Sequence, residues 1–154
     1  MRKYMMLLLL AAIAAQVGCR GGGQRQEQSP ASTAAKPSEY DPARGEGKFD
    51  RVDLGNRLDA KLAQDGKAVS DLKCASCHRY TGQRLVGPGW AGVSKRHAPE
   101  WLMNFITNPD PMIDKDPELQ AQLELCLIRM PNQNLSDEEA RQILEFMRQN
   151  DGVR

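Results

Sequence analysis

The chain is short of aromatic side chains, which make up 5% of its 154 residues. With residues 1–49 set aside for reasons given below, only Tyr80, Trp90, Trp101, Phe105 and Phe146 remain to fill the interior of about 105 residues. A domain of that size has an unfavourable ratio of surface to volume, so a body other than its own side chains is expected at its centre. The chain also lacks an excess of either charge: 21 Lys and Arg face 20 Asp and Glu, a formal net charge of +1. A nucleic-acid binder normally carries a basic excess or stripe, and no nucleic-acid partner is expected. No segment alternates over enough residues to specify a strand. The length leaves room for one domain with tails, which excludes a multidomain machine and a multi-span membrane protein.

What the N-terminus does have is a leader. Arg2 and Lys3 precede an unbroken apolar run of eleven residues, Met5 to Ala15. A spanning helix needs roughly 20, whereas a shorter run behind a basic flank suits an export signal, so residues 1–18 are read as a signal peptide. Gly18-Cys19 has the small-residue-then-Cys form of a bacterial lipoprotein site, which makes Cys19 the lipidated N-terminus, although Gln16 stands where such sites usually carry Leu. Cleavage after Ala12-Ile13-Ala14 is the alternative and leaves Cys19 as a loose thiol. Residues 19–49, rich in Gly, Gln, Ser and Pro with no apolar period, read as a flexible linker. About 30 residues of such coil reach roughly 30 Å, enough for a tethered domain to move between partners at a membrane surface. The expected location is the periplasmic side of a bacterial membrane, held by a lipid anchor, or the soluble periplasm under the alternative cleavage.

The folded part is expected over 50–154, and its chemistry is concentrated in Cys74-Ala75-Ser76-Cys77-His78, a C-x-x-C-H sequence. Two thiols at this spacing add across the two vinyl groups of a haem, and the next residue presents an imidazole to the iron from the same side. In an exported chain this points to one covalently bound haem c. A structural zinc site needs four ligands, commonly in matching pairs, and Cys19, His97 and Cys126 make no second pair. A thioredoxin-like pair needs a βαβ setting, whereas these flanks read as helix.

The expected fold is all-α, several short helices wrapped around the haem. A helix is predicted over Lys67–Lys73 with Ala68, Val69 and Leu72 on one face, and Leu54, Leu58 and Leu62 recur every four residues, predicting an extra helix upstream. Pro99 opens another, carrying Trp101, Leu102, Phe105 and Ile106 to a stop at Asn108-Pro109. Asp116-Pro117-Glu118 starts the next, with Leu119, Leu123 and Leu127 on its apolar face and Cys126 as a small buried hydrophobe. Ser136-Asp137-Glu138-Glu139 is a capping box, and Ala140, Ile143, Leu144 and Met147 follow it at helical spacing. His97, after Lys95-Arg96, is expected to face solvent, and Met103 and Met147 to sit in the core.

The order C-x-x-C-H, then Gly87-Pro88, then Arg129-Met130-Pro131-Asn132 resembles the class I monohaem c-type cytochromes over about residues 65–150. The resemblance implies that Met130 is the second axial ligand beside His78, with Met112 its main competitor and His97 the ligand of a bis-His alternative. It implies that the Pro88 carbonyl accepts a hydrogen bond from His78, which orients the ring. Gly66, eight residues before Cys74, then stands where the terminal helices cross, facing Phe146. Trp90 is expected to pack near the haem edge. The implied function is one-electron shuttling rather than catalysis, because two filled axial positions leave no place for substrate. Two alternatives stay open: a haem enzyme or gas sensor with a labile sixth ligand, and a permanently docked haem subunit of a reductase or oxidase complex. Val86–Trp90, His97–Trp101 and Met130–Leu135 look like small cytochromes that accompany respiratory reductases, including nitrous-oxide reductase. Redox proteins are the expected donor and acceptor, and the domain is expected to be a monomer.

Overall fold

Six helices and their connections account for residues 40–154, the part of the chain that this computed structural model describes. The expected signal peptide, Cys19 and the linker up to residue 39 lie outside the described residues. Among the described residues there is no strand, and the fold is all-α as expected.

Two long helices form the frame. α1 spans Ala60–Lys73 and starts earlier than its apolar pattern suggested, because the Asp59 carboxylate accepts from the N–H groups of Lys61 and Leu62. α6 spans Asp137–Asn150 and begins with the expected capping box: Glu139 N donates to Ser136 Oγ at 3.1 Å and Ser136 N to Glu139 Oε2 at 2.9 Å. The face that α1 buries is Ala63, Gly66 and Ser70, while Ala68 and Leu72 are exposed, contrary to expectation. Small residues win that face because α6 crosses there at backbone contact distance. The Ser70 hydroxyl is satisfied within α1 by Gly66 O at 2.7 Å, so its burial leaves no polar group unpaired.

The shorter helices complete the wall. α2 (Val93–Arg96) starts beside the end of α6, where Asp151 accepts from Gly92 N, Ser94 N and Ser94 Oγ at 2.5–2.8 Å. α3 (Pro99–Thr107) has the predicted bounds, with Trp101, Leu102, Met103, Asn104 and Ile106 buried. The Pro-rich stretch after it forms α4 (Pro109–Ile113) rather than a plain turn, and α5 (Pro117–Cys126) is capped by Asp116.

Two expectations fail at the N-terminal edge. No helix forms over Leu54–Leu58, where Gly55-Asn56 interrupts the period, and Leu62 alone of that series is helical, within α1. Nor does the linker extend to Phe49, because Tyr40–Phe49 is docked on the domain. The Tyr40 hydroxyl donates to Asp116, Gly45 packs on Met112 and Trp101, and Phe49 N donates to Asn104 Oδ1 at 2.8 Å. Asn104, wholly buried, returns two bonds from Nδ2 to Arg44 O and Phe49 O at 3.1 and 3.0 Å. Its buried amide is thereby satisfied by a segment about 55 residues away in sequence, which fixes a strap along α3.

The strap ends at a buried carboxylate. Glu145 of α6 is fully inaccessible and accepts from Asp59 N at 2.8 Å, from Arg141 at 2.5 Å and from Arg148 at 2.7 Å. Burial alone raises a carboxyl, but the Asp59 amide and the two guanidinium groups outweigh it and hold Glu145 below its ordinary value of 4.5. A depressed folded value contributes stability that is present above the unfolded value and lost as pH falls through the folded one. Glu145→Gln is therefore expected to lower the unfolding free energy at neutral pH by about 3 kcal/mol. It should also flatten the loss of stability below about pH 4.5. Equal acid sensitivity in variant and parent would place the titrating group elsewhere.

Candidate haem site

The C-x-x-C-H residues sit on the turn that ends α1. Cys77 N and His78 N both donate to Cys74 O at 3.0 Å, so one tight turn brings Cys74, Cys77 and His78 to the wall of one cleft. The cleft measures about 320 Å³, within the range of cofactor sites. Cys74 is buried, Cys77 half-buried, and both are free thiols. Burial pushes the Cys74 thiol up to about 11.

The next loop aims the imidazole. Val86 N and Gly87 N donate to Cys77 O at 3.2 and 2.8 Å, which lays Gly87-Pro88 over the motif turn. His78 Nδ1 lies 2.9 Å from Pro88 O. A carbonyl only accepts, so Nδ1 carries the proton and Nε2 keeps the lone pair that a metal needs. Burial lowers the His78 pKa from its ordinary value, with the Pro88 bond opposing, so the ring is neutral at pH 7. The bond inferred from the Gly-Pro pair is thus present. Gly87 is required as glycine, because a Cβ there would meet His78 Cε1 at 2.4 Å. Trp90 lines the cleft and also joins a cluster of rings, 5.8 Å from His78, 5.4 Å from Tyr80 and 6.4 Å from Phe146.

Met130 borders the same cleft as His78, half-buried. Its competitor Met112 does not, being fully buried against Gly45. Met103 is core as expected, and Met147 is both core and cleft wall. Three residues sit otherwise than expected. His97 does not face solvent: its side chain is 14% exposed, stacked on Trp101 at 3.9 Å, and it lines the cleft. Cys126 is half-buried on the cleft wall rather than in the core. Leu127, after α5, adopts φ 57° and is 84% exposed, because the helix ends in a left-handed residue that turns its side chain outward.

These residues fit a haem bound through two thioethers. Two free thiols three residues apart, an imidazole with a free Nε2 and a thioether sulfur share one largely apolar cleft. One polar atom in it, Gln122 Oε1, is buried without a partner. Among the described residues no group of three or more His, Cys, Asp or Glu gathers around a common point.

The family model for cytochrome c matches residues 63–151. The chain belongs to the cytochrome c family. It is similar to the solved structure of a cytochrome c from Rhodothermus marinus, at 37% identity over 68% of this chain and 90% of that one, with a TM-score of 0.66. It is also similar to an engineered form of that cytochrome (36%, TM-score 0.65) and to the engineered form bound to a carbene intermediate (36%, TM-score 0.62), each over 68% of this chain and 90% of that one. No curated protein matches the chain. As a cytochrome c, the protein carries covalently attached haem c and has a haem-based electron-transfer role.

Proposed function

We propose that this cytochrome is a one-electron carrier whose haem is attached through Cys74 and Cys77 and ligated by His78 and Met130. The observation that carries the ligand assignment is that Met130 borders the cleft that holds His78, whereas Met112 does not, and Met147, which also borders it, is a core residue of α6. The haem supplies the Fe(III)/Fe(II) couple. Cys74 and Cys77 hold it to the turn after α1, and Pro88 orients His78 through Nδ1. A fixed imidazole keeps the reorganisation small on electron transfer, and a Met partner raises the potential relative to bis-His ligation. His78 and Met130 together would hold the iron and leave no site for substrate, which supports a carrier rather than an enzyme.

Met130→Ala tests the ligand assignment. The oxidised variant should lose the Met–iron charge-transfer absorption and shift to a lower potential, with haem attachment intact. A spectrum and potential equal to the parent would overturn the assignment and leave the sixth position to another group. That is the reading of a labile site suited to a sensor or an enzyme. Met130 lies in the loop 127–135 outside any helix, between two left-handed residues, Leu127 and Asn134, and such a loop can give way.

The proposal extends to location and partners. Lipidated Cys19 and the segment that follows would tether the domain, as a monomer, at the periplasmic side of a bacterial membrane; the soluble periplasm is the alternative. Among the described residues no helix is long and apolar enough to cross a membrane. Electrons would pass between redox proteins, a respiratory reductase such as nitrous-oxide reductase among them. Exposed Leu85, Leu125 and Leu127, next to the cleft residues Val86, Cys126 and Ile128, offer an apolar rim for contact.

A further inference from the structure

His97 is a titratable side chain of the cleft that the proposed electron carrier does not use. It stands between α2 and α3, flat against Trp101 at 3.9 Å with 15° between the rings, and its Nε2 lies 3.8 Å from Glu118 Oε1 of α5. His97, Glu118 and Trp101 all line the haem cleft. One helical turn beyond Glu118, Gln122 Oε1 is the buried atom without a partner. The cleft is otherwise walled largely by apolar side chains, so this polar corner needs an explanation. An imidazole so placed is shielded from water on the Trp101 side and feels any change of charge in the cleft with less screening than a surface group.

We propose that His97 is a redox-linked proton site: it binds one proton from solvent when the haem iron is reduced and releases it when the iron is oxidised. The inference rests on haem occupying this cleft and is independent of whether Met130 is the sixth ligand. The balance is simple. One electron arrives from the donor protein and stays on the iron, taking Fe(III) to Fe(II), while one proton moves from water to a ring nitrogen of His97. The net charge of the cleft then changes little in either direction.

The charges around His97 suit this role. Burial lowers its pKa from the ordinary 6.5, while Glu118 and Asp116 from α5 raise it and Arg96 of α2 lowers it. α3 presents only the Trp101 ring, since its Glu100 carboxylate is taken by Val52 N at 2.7 Å. From the strap, Tyr40 faces Asp116 and not the imidazole. Burial thus weighs against the charged imidazole, while the Glu118 carboxylate is at hand to steady the proton once the positive charge on the iron falls by one. By linkage, a proton that binds more tightly to the reduced form must raise the electron affinity by the same factor. A tenfold coupling lies within the usual range for linked sites and corresponds to about 59 mV for a one-electron couple.

The experiment is a spectroelectrochemical titration of the haem-loaded protein between about pH 5 and 8, the range in which an imidazole changes charge. The expected potential is higher at the acid end and falls to a plateau as His97 loses its proton. The imidazole resonances should titrate about one pH unit higher in the reduced protein than in the oxidised one, which is the tenfold coupling expressed as proton affinity. His97→Gln should keep the haem spectrum and give a flat profile. Glu118→Gln, which keeps the imidazole, should move the slope to lower pH. A flat parental profile, or a slope that survives in His97→Gln, overturns the inference. Loss of the haem absorption or of the Met–iron band would instead be a failure of the site assignment, and the spectra report it separately.

Discussion

Gly66→Ala should unfold the cytochrome at a far lower denaturant concentration than the parent, although alanine is the better helix former. In an exposed helix the exchange is worth about 1 kcal/mol in alanine's favour. Here the added Cβ would lie 1.9 Å from Gln142 O, 2.3 Å from its carbonyl carbon and 2.8 Å from Ile143 N. All three are backbone atoms of α6, so no side chain can turn away and the helices themselves must part. Overpacking a core costs about 1–3 kcal/mol even where side chains can shift, and a loss of about 3 kcal/mol or more is expected here. Parting α1 from α6 would also uncover the face that α1 buries, Ala63 and Ser70, both inaccessible in the parent. Gly82→Ala is the control: a Cβ there meets nothing within 4 Å, and its midpoint should match the parent. If Gly66→Ala is as stable as Gly82→Ala, the helix crossing is not what the glycine serves.

Gly66 also shows which kinds of feature can be read from a sequence. Its role was legible through the resemblance, which places a glycine eight residues before the first motif cysteine. The capping box at Ser136 and the bounds of α3 were legible from the residues themselves, since each depends on residues within one or two turns of one another. The strap was not. Leu54, Leu58 and Leu62 imitate a helix period, but Gly55-Asn56 breaks it, and the segment's real partners, Asn104, Glu100 and Glu145, lie 48 to 86 residues away. A polar side chain that satisfies distant backbone leaves no periodic trace. His97 was misplaced for the same reason: Lys95 and Arg96 beside it are exposed, and only the ring of Trp101, from the next helix, draws it inward. The site itself divides likewise. Both Pro88 and Met130 were implied by the resemblance; the bond from His78 to Pro88 joins residues ten apart, whereas the position of Met130 depends on how the loop after α5 returns to the cleft.

Replacing both Cys74 and Cys77 with alanine should leave a chain that neither retains haem nor holds a compact fold. The cleft that haem would fill measures about 320 Å³ and is walled by Trp90, Leu102, Leu119, Ile143 and Met147 among others. At about 24 cal/mol per Å³ of unfilled cavity, a sealed void of this size would cost at most on the order of 8 kcal/mol. The whole stability of a small domain is about 5–15 kcal/mol. The cleft is open, so relaxation and entering water lower that bound, but they do not restore the lost apolar contacts, and the domain is left with a reduced margin. The few aromatics point the same way. Tyr80, Trp90 and Phe146 stand together on one side, Trp101 and Phe105 stand together on α3, and the cleft is bordered from both groups by Trp90, Trp101 and Phe105. They line a centre that they are too few to fill. The expected readouts are loss of near-ultraviolet circular dichroism and of a cooperative thermal transition, with part of the helical signal kept. Cys126→Ala is the control, since it trims the same wall while leaving haem attachment alone, and it should retain haem and unfold within about 1 kcal/mol of the parent. A double variant that unfolds cooperatively with a native near-ultraviolet spectrum would show that the helices pack around a centre they can close by themselves, and that the scarcity of aromatic side chains reflects no need for the haem.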